Sequence, residues 1–339
     1  MNRNSVIAIV LIAIIALSAV SVWYFMSLPP SWSGQPELIT VAYSPFESTA
    51  LLWIAEDQHF FEKNGISLSL RRYDSGAGSL DGVINGEADL SVGVTEFPLV
   101  RKAFQGANVR AIGVIDKGEF NYLVARKDRG IANLSDLKGK RVGTTVGTVA
   151  EFHLGRFLAL NGMTMRDITL VDVRTPEGWV DEIAEGNIDA IATAQPYANA
   201  ARDRLGDNAV MWSVQSRQHL FALAVATDEW IESHPDPARR FLLSLSQAEE
   251  YANTHPAEAR SIVQERLNLS GSYMPTVWQQ NQFSLTLDQS LVAAMEDEAR
   301  WMIQNKLTDA AEIPDFRNYL YTRGLDEVKP ESVNIIGMT

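Results

Sequence analysis

The run Asp74-Ser75-Gly76-Ala77-Gly78-Ser79 has the residue types of an anion cradle. It follows a segment that alternates like a strand and opens a short helical stretch. Glycines there let the backbone approach a ligand, and amides at a helix start attract negative charge. Two other readings compete. Gly76, Gly78 and Gly82, with Glu96 further on, approach a dinucleotide-binding pattern. Its third glycine comes one position late, however, and Glu96 falls beyond the next strand rather than on it. A plain tight turn is the remaining reading, since glycine-rich turns between strand and helix are common.

A second candidate cradle is Thr144-Thr145-Val146-Gly147-Thr148-Val149. Thr148 stands where an N-cap belongs, ahead of a helical pattern over 149–161, so the Gly147 and Thr148 amides would face a ligand. An ordinary cap explains the same residues. Carboxylates cluster around these turns: Glu47, Glu96, Glu119 and Glu151 all fall near predicted strand ends or helix starts. Glu47 and Glu151 read as helix-dipole partners. Glu96, in Gly93-Val94-Thr95-Glu96-Phe97, is either a solvated or capping side chain or a partner for a ligand ammonium. Arg174, after a strand at 168–173, either contacts an anion or pairs with Glu177. Tyr43, Phe46, Phe120 and Tyr197 wall a small ligand or fill the core. Ser44, Asn121 and Gln195 complete the candidate ligand contacts.

Catalytic patterns find little support. The five histidines, His59, His153, His219, His234 and His255, have no paired spacing, and no serine lies in a G-x-S-x-G elbow. The chain has no cysteine. That removes disulfides, thiolate metal sites, a Cys nucleophile and a lipobox anchor. No cofactor and no metal site are expected.

These side chains must be positioned by a chain of 339 residues, about two domains' worth, with 46% hydrophobic and 21% charged residues. Its 29 Lys+Arg against 42 Asp+Glu give a net charge of −13. Without a basic block, that balance makes nucleic acid a poor partner. Residues 6–28 contain only Ser18, Ser21 and Ser27 as polar residues and follow Arg3. This run is long enough to cross the roughly 30 Å apolar layer of a membrane with its positive side inside. An uncleaved anchor fits that length. A signal peptide cut near Ala19-Val20-Ser21 competes, and either places the rest outside the cytoplasmic membrane. Residues 29–36, rich in proline and serine, read as a linker.

From residue 38 onward, strand-like and helix-like segments alternate, which predicts an α/β protein with a mostly parallel sheet. Helical patterns run over 48–63, 79–85, 98–105, 149–161 and 177–185. Beyond 235 the pattern turns helical throughout, over 235–254, 256–267, 275–283 and 288–305. One device occurs twice: Gly86-Glu87-Ala88-Asp89 and Gly186-Asn187-Ile188-Asp189 each end a helix and lead into a strand. It is either a common αβ turn or the mark of two similar lobes with a cleft between them.

Ala55-Glu56-Asp57-Gln58-His59-Phe60-Phe61-Glu62-Lys63-Asn64-Gly65-Ile66 resembles the first helix of the solute-binding proteins of ABC importers, with His59 where glycine is usual. Further pieces are Tyr122-Leu123-Val124-Ala125-Arg126-Lys127-Asp128, Leu134-Ser135-Asp136-Leu137-Lys138-Gly139 and the tail Lys329-Pro330-Glu331-Ser332-Val333. The branch is the one for nitrate, taurine, aliphatic sulfonates and thiamine-pyrimidine precursors. The resemblance implies a type II two-lobed periplasmic-binding-protein fold: lobe 1 at 37–124 and 222–339, lobe 2 at 125–221. It also implies hinge strands at 121–126 and 220–226, with C-terminal helices packed on lobe 1. It further implies a monomer that passes a small anionic or zwitterionic solute, sulfonate- or taurine-like, to an ABC permease and its ATPase. A membrane-tethered sensor of the same fold is the alternative. The family's fungal enzymes carry a cysteine-rich motif that this chain lacks.

Overall fold

The computed structural model describes residues 32–269 and 274–337. The apolar run at 6–28 lies outside these residues. Among the described residues, no helix is long and apolar enough to cross a membrane.

The chain begins with β1 (Glu37–Tyr43), β2 (Ile66–Arg72), β3 (Leu90–Thr95) and β4 (Val109–Gly118), then crosses to β5 (Asn121–Arg126), β6 (Arg141–Thr144), β7 (Thr169–Asp172), β8 (Ala190–Ala194) and β9 (Ala209–Ser213). It returns through β10 (Leu220–Thr227) and a short edge strand, β11 (Asn281–Gln282). The first sheet has the order β11-β4-β10-β3-β1-β2 and the second β7-β6-β8-β5-β9. In each, three parallel strands are extended by antiparallel ones. Every residue of β3 but the last is buried, because helices cover both faces of a parallel sheet; hence its unbroken apolar run.

The repeated glycine–aspartate device is structural in both lobes. Gly86 and Gly186 take φ of +74° and +83°, ending their helices. Asp89 Oδ2 then accepts the Thr40 amide of β1 at 2.7 Å, and Asp189 Oδ2 the Arg141 amide of β6 at 2.9 Å. Each carboxylate thereby satisfies an amide of the neighbouring parallel strand.

Helices fill the connections: α1 (Ala50–Asp57), α2 (Gly76–Ile84), α3 (Glu96–Phe104), α4 (Val149–Leu160), α5 (Pro176–Glu185) and α6 (Tyr197–Leu205), then α7 (Pro235–Thr254), α8 (Pro256–Leu267) and α9 (Gln289–Gln304). The helix expected over 48–63 is broken at His59, whose φ of 58° is left-handed; a separate turn, Phe60–Lys63, follows. The stretch 275–283 is not one helix either, because Asn281 and Gln282 pair with β4. Phe241, Leu242, Leu291 and Met295 share one core with Ile39, Val41 and Val92, so the C-terminal helices pack on the first lobe. Trp301 of α9 also reaches across to α4, 5.5 Å from Phe152 and against Gly155.

The expected hinge strands are corrected. Asn121–Arg126 pairs wholly within the second sheet and Leu220–Thr227 wholly within the first. The chain changes lobes just outside them, at 119–120 and at 214–219, where Ser216 and Arg217 take positive φ. Pairing demand explains this: a strand with neighbours on both sides cannot also serve as the bending segment.

Candidate functional site

A cavity opens at the carboxyl ends of the parallel strands of both sheets, the place where α/β folds bind ligands. Its volume is about 70 Å³, room for a small organic molecule. From the first lobe come Ser44, Phe46 and Ser48 after β1, Ser75, Gly76 and Ala77 at the start of α2, and Gly93, Thr95 and Pro98 around the end of β3. Phe120 and Asn121 arrive with the first crossing and Leu220 with the second. The second lobe adds Thr145, Thr148, Val149 and Ala150 around the start of α4, Trp179 of α5, and Ala192, Thr193 and Ala194 of β8.

Two helix N-termini from opposite lobes therefore meet at one cavity. In α2, Ser75 Oγ accepts the Gly78 amide at 3.1 Å, while the Gly76 and Ala77 amides have no acceptor within the helix by position. A Cβ at Gly76 would stand 2.9 Å from the Gly93 carbonyl, so glycine is what lets α2 dock against β3. In α4, Val149 and Ala150 hold the equivalent first-turn positions. Thr148 occupies the N-cap position but does not cap: its hydroxyl donates to the Thr145 carbonyl at 2.8 Å. The Gly147 amide, expected to face a ligand, donates instead to Glu151 Oε2 at 2.7 Å. Burial pushes the Glu151 carboxyl up, against the pull of that amide and of Arg101.

The apolar wall is built across the lobes. Phe46 stacks 6.2 Å from Trp179 and meets Tyr197 edge-on at 6.1 Å. Trp179 is locked in place by its Nε1, which donates to the Val173 carbonyl and to Thr145 Oγ1. Trp179 escaped the sequence reading because a tryptophan one turn into a helix has the spacing of a core residue.

Among the described residues, none that lines this cavity is charged. Glu96 is fully buried away from the lining, its Oε2 accepting the Phe221 amide at 3.0 Å. Desolvation pushes its pKa up to about 8. Glu298 of α9, also fully buried, is held well above the carboxylate range by desolvation and then by Glu96 itself. Glu96 is therefore not placed to meet a ligand ammonium in this cavity. Arg174 has an 82% exposed side chain and pairs with Asp172 at 2.6 Å, so it is not an anion contact. Glu119 lies beside His219 outside the lining, and Glu47 is buried in the turn after Phe46. Tyr43 packs edge-on to Trp53 at 4.7 Å in the core. Ser79 bonds Ser91, Gln195 accepts the Asn199 amide, and Val146 is exposed. Tyr197 backs Trp179 from behind, at 5.0 Å. Of the expected contacts, the fold brings Ser44, Phe46, Ser75, Gly76, Ala77, Thr95, Phe120, Asn121 and Thr148 to the cavity.

A family model described as NMT1/THI5 like matches residues 47–259. The chain belongs to this family. A Bacillus subtilis protein named for binding aliphatic sulfonates is 22% identical over 269 residues, 78% of this chain and 80% of that one. The alkanesulfonate-binding protein of Xanthomonas axonopodis, solved with MOPS bound, superposes with a TM-score of 0.74 at 17% identity, over 86% of this chain and 100% of that one. The NMT1/THI5-like relatives also include an enzyme. The 4-amino-5-hydroxymethyl-2-methylpyrimidine phosphate synthase of Aspergillus parasiticus is 24% identical over 226 residues, 62% of this chain and 64% of that one. Family membership thus fixes the two-lobed fold and leaves the activity to the site.

Proposed function

We propose that this family member is a non-catalytic, extracytoplasmic binding protein that encloses a small organic anion and presents it to an ABC permease, with residues 6–28 as its membrane anchor. The observation that carries this reading is the meeting of two helix N-termini, at Gly76-Ala77 and Val149-Ala150, in a cavity that no carboxylate among the described residues lines. Oriented amides hold an anion without a counter-charge, because the helix dipole and the unfilled donors act together. Phe46, Phe120, Trp179 and Leu220 favour an anion with a carbon body, so an organosulfonate ranks above nitrate. A zwitterion such as taurine ranks lower too, since its ammonium would lose water and meet no carboxylate.

Release requires the lobes to part, since Phe46 and Trp179 close the wall from opposite sides. Calorimetry and thermal shift on residues 36–339 with alkylsulfonates, taurine, nitrate and pyrimidines test the reading. An alkylsulfonate at a hundred times Kd should add about 2.7 kcal/mol of stability. Scattering should show a smaller radius of gyration with that ligand than without it. Binding of pyrimidines alone, or chemical turnover of the ligand, would overturn the proposal.

A further inference from the structure

Three aromatic rings drawn from both lobes meet outside the cavity. Phe97 of α3 stacks on Phe152 of α4 at 5.9 Å, and Trp301 of α9 meets both edge-on, at 6.0 and 5.5 Å. Phe97 and Phe152 are buried, and none of the three lines the cavity. The helix α4 thereby serves two cores: Leu154, Phe157 and Leu158 fill that of the second lobe, while Val149 and Phe152 fill that of the first. Gly155 gives the contact its shape. It sits in the interior of α4, where glycine is among the least favourable residues and alanine the most favourable. A Cβ there would stand 2.3 Å from Trp301 Cζ2 and 2.9 Å from Cε2, so the missing side chain is what lets the indole lie against the helix. At the rim, Arg156 Nη1 donates to Asp297 Oδ2 of α9 at 2.6 Å and to Gln218 of the second crossing.

We infer that Trp301 seated on Gly155, together with Phe97 and Phe152, is a latch that favours the closed arrangement of the lobes, so that residues which never touch the solute set how tightly it is held. Parting the lobes carries Phe152 away from Phe97 and Trp301 and exposes apolar surface that is now buried, a cost that opposes opening. The solute binds the closed form, where both helix N-termini face it. Its apparent affinity is therefore scaled by the fraction of molecules already closed. Arg156 and Asp297 are both partly exposed, so their ion pair orients the contact more than it strengthens it.

The test uses the full chain, whose lack of cysteine allows spin labels at two exposed positions, Gln105→Cys in the first lobe and Asp181→Cys in the second. Without ligand, the label distances should include a closed population. Gly155→Ala should reduce that population by about threefold or more while unfolding stays cooperative, and ethanesulfonate affinity, read by calorimetry, should fall by the same factor. Trp301→Phe, whose smaller ring leaves room beside position 155, should restore part of both losses in the Gly155→Ala protein. A closed population that is absent from the protein without Gly155→Ala, or unchanged by that substitution, would overturn the latch. So would equal or tighter binding of ethanesulfonate by Gly155→Ala. The binding arm rests on the anion reading and the distance arm does not. Failure of ethanesulfonate to bind the unmodified protein would therefore overturn that reading, while the label distances still decide the latch.

Discussion

Gln215 and Phe120 join the two segments that pass between the lobes: Gln215 Oε1 accepts the Phe120 amide at 2.6 Å. The same oxygen takes the Asn121 amide at 2.8 Å, while Nε2 donates to the Gly118 and Gln218 carbonyls. One fully buried glutamine thus uses two acceptor and two donor positions where the chain passes between the two sheets. Gln215→Ala should destabilise the ligand-free protein by about 3 kcal/mol in urea unfolding, because two buried amides lose their acceptor. A loss below about 1 kcal/mol would mean that other contacts hold the crossing together.

The buried Glu96–Glu298 pair makes stability depend on pH. Desolvation raises the Glu96 carboxyl to about 8, from 4.5 for a free side chain. The folded state therefore binds the proton that the unfolded chain releases. Stability from this group is full below pH 4.5 and is lost as pH rises toward 8, by at most about 1.4 kcal/mol per unit for one proton. Glu96→Gln, which imitates the protonated form, should flatten that slope. It should also leave alkylsulfonate and taurine affinities nearly unchanged, because Glu96 faces Phe221 and not the cavity. Chemical denaturation at pH 5, 6.5 and 8 reads the first effect; an unchanged slope would refute the shared burial as its origin.

Gly147 allows the lobes to approach. Its φ is +85°, and a Cβ there would fall 1.7 Å from Arg101 Nη1 of the opposite lobe. Gly147→Ala adds about 1–2 kcal/mol of backbone strain and forces that guanidinium away. Ligand affinity should fall at least tenfold while the unfolding transition remains cooperative. Calorimetry showing unchanged affinity would remove Gly147 from the closing surface.

His59 holds a left-handed φ of 58° between α1 and the turn Phe60–Lys63, at the position where the resembling family usually has glycine. Its exposed ring does little beyond standing 3.8 Å from Glu62. His59→Gly should raise stability by up to about 1 kcal/mol, because relief of the left-handed penalty exceeds the added chain entropy. A destabilised variant in thermal or urea unfolding would show that the histidine side chain carries an unrecognised contact.

Local chemistry was legible in the amino-acid sequence alone. The alternation of elements and the paired devices at Gly86-Asp89 and Gly186-Asp189 depend on residues a few positions apart, so their patterns survive in one dimension. The approximate place of the cavity followed, since the ends of parallel strands are a property of topology. Direction was not legible. Thr95 and Glu96 are adjacent, yet Thr95 lines the cavity and Glu96 turns into the core, because α9, some two hundred residues later, packs Glu298 there. Gly147 gives its amide to Glu151, four residues on, and Arg174 turns to solvent beside Asp172: a helix start fixes where a group sits but not which neighbour claims it. Trp179 became part of the wall only when α5 met Phe46 of the first lobe. The crossing segments, too, were settled by strand pairing, a long-range choice that leaves no trace in local spacing.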